Sequence, residues 1–192
     1  MIKRLYVHNF RCLENFELPI SDKPSSLLIG KNGAGKSTVS FALNVFQSIG
    51  RGVNRVGELV KPSDFARGRS DVPMRFEIEA IISKSVYGYI LALELPDGSR
   101  ELRVLEECLT VDGHRIYSRN GSEVQLPKRG SASEGKFQID WHLIALPVIQ
   151  EQSVTDPLYI FKNWLARMLI LAPIPSQISG DSKGETLSPN RP

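Results

Sequence analysis

The 192-residue sequence is poor in the residues that build metal clusters and disulfide frameworks. It has two cysteines, Cys12 and Cys108, far apart and without metal-type spacing. They read as buried free thiols, which suits a reducing cytoplasm. The three histidines, His8, His114 and His142, show no ligand spacing either and read as surface or satisfied core residues. Charge is nearly balanced: 24 Lys and Arg against 21 Asp and Glu give a net +3, which does not by itself point to nucleic acid. No window approaches eighteen uninterrupted apolar residues, the length a membrane-crossing helix needs. The opening Met1-Ile2-Lys3-Arg4-Leu5 turns polar too soon for a secretory signal, so a cytoplasmic location and no membrane partner are expected. There is no internal repeat. Hydrophobic residues at 41% and charged residues at 23% are ordinary for a globular chain with a sizeable core.

Against that background one stretch stands out. Residues 30–38 read Gly-Lys-Asn-Gly-Ala-Gly-Lys-Ser-Thr and fit G-x-x-x-x-G-K-[ST], with Gly30, Gly35, Lys36 and Ser37 in the required places. The spacing has a chemical reason. A polyphosphate needs many donors at close range, and backbone N–H groups are the most compact ones. Glycines permit positive φ and let the main chain approach the anion. A lysine at position 36 can reach β- and γ-phosphates, and the Ser37 hydroxyl can ligate Mg²⁺. A helix starting here directs its N-terminal N–H groups at the same anion. The flanks agree. Ser25-Ser26-Leu27-Leu28-Ile29 reads as a short buried strand, and Val39, Ala42, Leu43 and Phe46 fall at helical spacing up to about Ile49. The bland alternative is a glycine-rich turn with no ligand, which would not need Lys-Ser at those two positions.

The rest of the chain supplies the frame. Ile2 to His8 reads as a strand with Leu5 and Val7 on one face, and Phe16-Glu17-Leu18 as a second extended piece. Residues 50–73 are rich in Gly, Pro and charge and read as a loop with one short helical turn. From Met74 the period becomes two. Phe76, Ile78 and Ala80 share a face, as do Tyr89, Leu91, Leu93 and Leu95. Turn signals at Pro96-Asp97-Gly98-Ser99, Asp112-Gly113 and Asn120-Gly121 cut residues 74–126 into an antiparallel meander of about five strands. Residues 127–140 read as polar loop. Leu158, Phe161, Leu165 and Met168 share one face of a helix over 158–168. Leu169-Ile170-Leu171-Ala172 reads as a short buried strand, and Pro173 to Pro192 as a poorly ordered Pro/Ser-rich tail. Trp141 and Trp164 are expected in the core or at a lobe interface.

Asn9-Phe10-Arg11 followed about twenty residues later by Gly30–Thr38 resembles the ABC-type ATPase heads of the RecF, SMC and OLD groups, also grouped as AAA family ATPases. The resemblance implies an α/β fold: the first lobe of a P-loop NTPase with an antiparallel β meander and an incomplete second half. The expected division is a nucleotide-binding lobe over 1–126 (phosphate loop 30–38, basic loop 50–73, meander 74–126) and a linker, helix and tail over 127–192. It further implies ATP and Mg²⁺, held by Gly30, Asn32, Gly33, Ala34, Gly35, Lys36, Ser37 and Thr38, and a head-to-head homodimer. By the same resemblance Arg11 lies near the nucleotide, the alternative being an exposed turn arginine. A glutamine after the first lobe senses the metal; Gln150 and Gln152 are the candidates, against solvated residues at a helix start. The resembled groups act in DNA repair, chromosome maintenance and anti-phage defence, so DNA is a possible partner. Arg51, Arg55, Lys61, Arg67 and Arg69 could supply a backbone contact, or could form a plain solvated loop.

ATP hydrolysis also needs an Asp on an apolar strand and a Glu that polarises water. The string of four apolar residues followed by Asp-Glu does not occur. Leu91-Ala92-Leu93-Glu94 lacks the Asp, and Leu143-Ile144-Ala145-Leu146 and Leu169-Ile170-Leu171-Ala172 each run into proline. No Leu-Ser-Gly-Gly-like signature precedes an amphipathic helix; Ser179-Gly180-Asp181-Ser182 comes nearest. The expectation is therefore the ATP-binding N-terminal part of an ATPase: a truncated reading frame, a cut chain or one piece of a split protein. The alternatives are a complete, degenerate nucleotide-binding protein, a non-catalytic module completed by a separate partner chain, and a plain nucleic-acid-binding domain.

Overall fold

The computed structural model describes residues 1–20, 28–31, 33–127 and 135–170. Ile2–His8 (β1) pairs antiparallel with Phe16–Pro19 (β2) on one edge and with Met74–Ile82 (β3) on the other. Ser85–Glu94 (β4), Arg103–Val111 (β5), His114–Asn120 (β6), Glu123–Leu126 (β7) and Gly135–Gln138 (β8) extend the sheet strand by strand. All eight form one antiparallel sheet in the order β2-β1-β3-β4-β5-β6-β7-β8. The fold is thus mixed α/β with an antiparallel sheet.

Alternation explains which face is buried. Met74, Phe76, Ile78 and Ala80 on β3 and Tyr89, Leu91 and Leu93 on β4 all point to the core and are fully buried. Two tight connections fix the register. Ser83 and Lys84 (φ 50° and 77°), and Asp112 and Gly113 (φ 50° and 79°), turn the chain through paired left-handed residues, whose twist matches that of the flanking strands.

Two helices cover the buried face: Lys36–Gly50 (α1) and Pro157–Ala166 (α4). Val39, Ala42, Val45, Phe46 and Ile49 form the apolar stripe of α1. Asp156 caps α4, accepting from Leu158 N at 2.9 Å, and Pro157 follows at the first helical position. Phe46 meets Phe76 and Tyr89 edge-on, with centroids 6.3 and 6.0 Å apart, and Phe161 packs against Tyr87 and Tyr89. These rings join helices to sheet. Two short helices, Val56–Leu59 (α2) and Ala145–Val148 (α3), complete the described elements together with 3₁₀ turns at Pro62–Asp64 and Ala66–Gly68.

Behind the rings lies a buried polar knot. The Glu107 carboxylate accepts from Tyr89 and Tyr117 hydroxyls (2.9 and 2.7 Å) and from Ala145 N and Leu146 N (2.7 and 2.9 Å). Arg119 NH1 lies 3.7 Å from the same carboxylate, and Arg119 also donates to the carbonyls of Gly121, Asp140 and Leu143. Both side chains are fully buried, and the knot pins the loop leading into α3 to the middle of the sheet. Residues 135–168 thereby join the same core.

Several expectations need correction. Residues 135–138, read as loop, are strand β8, paired to β7 through Val124 and Phe137. Residues 50–73 hold three short helical turns, not one. Leu28 and Ile29 stand in no strand and are exposed. Both edges of β1 are already occupied, by β2 and β3, so Leu28 and Ile29 do not pair with it. Residues 25–27 of that expected strand lie outside the described residues. Leu169 and Ile170 are likewise not in a strand, with Leu169 81% exposed, and 171–172 and the tail lie outside the described residues. Cys12 is exposed and Cys108 half-buried; neither is a core thiol. Trp141 lies at the surface beneath Arg103, whose guanidinium sits 4.6 Å from the ring centroid.

Candidate functional site

The corner between Gly30 and Thr38 owes its shape to two left-handed glycines. Gly33 has φ 84° and Gly35 φ 90°, and Gly35 is the residue from which α1 starts. Ala34 N donates to Lys31 O at 3.1 Å and Val39 N to Gly35 O at 3.1 Å, so loop and helix are continuous. A Cβ on Gly33 would meet nothing within 4 Å; this part of the loop faces open space. A Cβ on Gly35 would come within 3.1 Å of Cys12 Sγ and Leu13, which close that side. Asn32 lies outside the described residues.

Lys36 reaches back over the loop: Nζ donates to Gly30 O and to Lys31 O, the latter at 2.7 Å. An ammonium has three donors, so one remains for an anion. No acidic side chain stands in the first turn of α1 and no side chain caps it. The positive end of a fifteen-residue helix and its first N–H groups are thus left without an anionic partner from the first turn. Ser37 is exposed beside them, while Thr38 is buried with its hydroxyl 3.2 Å from Cys12 Sγ.

The turn after β1 leans on the same corner. Asn9, buried and left-handed at φ 52°, donates through Nδ2 to Arg69 O (2.8 Å) and Val72 O (2.5 Å), and its carbonyl accepts from Ala66 N. Arg11 donates from its main chain to Asp64 O (2.6 Å) and from Nε to Asp64 Oδ1 (2.9 Å). Its guanidinium carbon lies 4.0 Å from the centroid of Phe41 on α1. Asn9-Phe10-Arg11 therefore ties residues 64–72 to β1, and Cys12-Leu13 ties the turn to the phosphate loop.

Other expected site residues are not brought here. Gln150 is exposed and lines a hollow with Ile49, Arg51 and Lys162, at the far end of α1 from Ser37. Fifteen helical residues put about 20 Å between the two ends. Gln152 is exposed in the approach to α4, where its main-chain N–H donates to Asp156 Oδ2 at 3.2 Å. The basic residues of 51–69 do not form one patch. Arg51 donates to Ala166 O, Arg67 and Arg69 pair with Glu14 at 3.1 and 3.6 Å, and Arg55 and Lys61 line a 370 Å³ hollow with Arg100 and His142. No group of three or more metal-ligating side chains occurs among the described residues. The contacts of Arg11 with Phe41 and Asp64 were not legible in the sequence. The one hint is that Phe41 falls off the apolar stripe of α1, where an exposed aromatic has no packing reason to be.

Residues 1–68, which take in β1, the phosphate loop, α1 and the Asp64 turn, match the AAA ATPase domain family. The N-terminal portion is AAA/OLD-like. An OLD nuclease of Thermus scotoductus is 49% identical over 45 residues, a match that takes in 23% of this chain and 8% of that protein. The AAA/OLD-like portion thus carries the glycine corner, the Lys36 ammonium and the Arg11–Asp64 pair on one contiguous stretch. No helix among the described residues is long and apolar enough to cross a membrane.

Proposed function

We propose that the chain binds Mg-ATP at the corner 30–38 and serves as the nucleotide-binding part of an ATPase head. The observation that carries this is the pairing of two left-handed glycines with an ammonium held across the loop, at a helix start free of acidic side chains. Main-chain N–H groups of Gly33, Gly35, Lys36, Ser37 and Thr38 cradle the phosphates, in a loop that Gly30, Asn32 and Ala34 complete. Lys36 neutralises the β/γ oxygens with its remaining donor. Mg²⁺ would be held by the Ser37 hydroxyl, with phosphate oxygens and water completing its shell, and would supply charge neutralisation at the β- and γ-phosphates. Arg11 lies on the flank of this site, whereas Gln150 has no part in it. These groups position and stabilise charge and form no covalent bond with the nucleotide.

Residues 1–126 act in this reading as the nucleotide-binding lobe, in a cytoplasmic protein of DNA repair, DNA maintenance or phage defence. In a full-length protein that also carries the apolar-strand Asp-Glu and the signature helix, turnover follows ATP-driven closure of two heads, and DNA is a candidate partner of that assembly. The decisive experiment is equilibrium dialysis of a labelled ATP analogue against the wild type and Lys36→Ala, with circular dichroism confirming the fold. At least a tenfold loss of affinity is expected, since a charge-assisted hydrogen bond to phosphate contributes about 1.5–3 kcal/mol. Equal binding by the variant would refute the assignment.

A second reading rests on the missing apolar-strand Asp-Glu: the chain binds ATP without hydrolysing it and is completed by a separate partner. ATP turnover by the isolated chain that disappears with Lys36→Ala would exclude it.

A further inference from the structure

A second concave site lies away from the phosphate corner and shares no residue with it. The short helix α2, the 3₁₀ turn that follows it and the connection between β4 and β5 enclose a hollow of about 370 Å³. That volume is in the range of small-molecule sites. Main-chain hydrogen bonds hold the walls together: Val56 N donates to His142 O at 2.9 Å, and Ile144 N to Asn54 O at 2.7 Å. The floor is apolar. Val60 and Leu102 line it and are 1% and 3% exposed.

The rim has cations to spare. Arg55, Lys61 and Arg100 are exposed, and none of the three enters an ion pair among the described residues. Arg55 exerts only a longer-range attraction on Asp140. Two carboxylates share the rim. Glu101 faces His142, with Oε2 3.8 Å from Nε2, and Asp140 holds the other side of the same imidazole, 3.1 Å from Nδ1. Glu58 stands on α2. Three cations against two carboxylates leave one positive charge in surplus. This arrangement selects a ligand class. The apolar floor offers nothing to an inorganic anion, and the two carboxylates repel a nucleic-acid backbone or any other polyanion. One anionic group on an apolar body suits both parts: the body covers Val60 and Leu102, and the charge lies among rim cations whose guanidinium groups can donate in pairs. We propose that the hollow is a second ligand site, for a small organic monoanion with an apolar body. The proposal does not depend on the triphosphate reading of residues 30–38.

The test is a fluorescence titration of the full chain with two dyes. Anilinonaphthalene sulfonate is an aromatic monoanion, and phenylnaphthylamine is the same body without the charge. The proteins are wild type, the double variant Arg55→Gln, Arg100→Gln, and Gly57→Leu, with circular dichroism melts to check folding. Gly57 lines the hollow, and a Cβ there meets nothing within 4 Å, so a leucine has room to enter it. The wild type should bind the sulfonate saturably at one equivalent, and the uncharged dye about tenfold more weakly or worse. The double variant should lose about tenfold or more in sulfonate affinity and change the uncharged dye less than about twofold. Gly57→Leu should remove both dyes, and saturating Mg-ATP should displace neither from the wild type. Equal affinity for the two dyes would reduce the hollow to an apolar patch. Sulfonate binding that ignores the double variant and Gly57→Leu would place the dye elsewhere, and displacement by Mg-ATP would place it in the phosphate corner. Displacement by oligothymidylate would make the hollow part of a nucleic-acid face. Each of these overturns the proposal, as does a wild type that leaves the sulfonate unbound.

Discussion

At the scale of single residues, two buried groups do opposite kinds of work. Gly35 is needed for its lack of a side chain: at φ 90°, with Cys12 Sγ and Leu13 3.1 Å from an added Cβ, only glycine starts α1 there without strain. Glu107 is needed for its charge and four acceptor sites. Its carboxylate is fully buried and accepts four hydrogen bonds, from the Tyr89 and Tyr117 hydroxyls and from Ala145 N and Leu146 N. Glu107→Ala should therefore destabilise the fold by about 3–5 kcal/mol, because it leaves Arg119 as an uncompensated buried charge. Urea unfolding followed by circular dichroism reads this directly. A loss below about 1 kcal/mol would mean that water replaces the carboxylate. Nothing in the sequence flagged the pair: only the register Glu107↔Arg119 between β5 and β6 reveals them as partners.

At the scale of elements, α1 and α4 approach closely at the end of α1 far from the glycine corner. A Cβ on Gly50, the last residue of α1, would stand 2.5 Å from Leu165 Cβ and 2.6 Å from Ala166 N. Gly50→Ala must push the helices apart, at about 1–3 kcal/mol, and a urea titration should show that loss without a change in nucleotide affinity. Unaltered stability would mean that the helix ends part freely. Elements with a strong period were legible from sequence. Residues 74–126 alternate cleanly and carry three turn signals, so β3–β7 could be read in advance. The Ser83-Lys84 turn carries no glycine or asparagine, and only the change of buried face marked it. β8 was illegible because Gly135-Lys136-Phe137-Gln138 offers one apolar residue; it exists as a strand through its pairing with the edge of β7. The apolar pairs Leu28-Ile29 and Leu169-Ile170 misled for the converse reason, since an apolar run forms a buried strand only where a neighbouring edge awaits it. The phosphate loop was legible because its chemistry is local. Arg11–Phe41 was not, since it depends on a contact across thirty positions.

Across the whole molecule, the sheet face opposite the helices is stitched by charge. Glu17, Arg4, Glu77, Arg75 and Glu106 form one chain of ion pairs from β2 to β5, with N···O distances of 2.6 to 2.9 Å. The small side chain of Ala92 lies between Arg75 and Glu106 in the register and leaves the arginine room to cross β4. Burial opposes the charge on Glu77, but the hydrogen bonds from Arg4 and Arg75 outweigh it and hold the carboxyl below the ordinary glutamate value of 4.5. A lowered folded pKa stabilises the native state fully above the unfolded value, and that stabilisation is lost as pH falls through the folded one. Stability should thus fall as pH drops below about 4.5, and Glu77→Gln should flatten that slope; an identical acid profile for wild type and variant would remove Glu77 from the account. The same architecture leaves the glycine corner at one end of α1, apart from the ladder. The measurement that bears most directly on the central claim is therefore residue-resolved: ¹H–¹⁵N spectra of the full chain titrated with Mg-ATP. The amides of Gly33, Gly35, Lys36, Ser37 and Thr38 should shift together, saturably, and ahead of those on β3–β7. Saturable binding that leaves these five unmoved while shifting amides elsewhere would contradict the account.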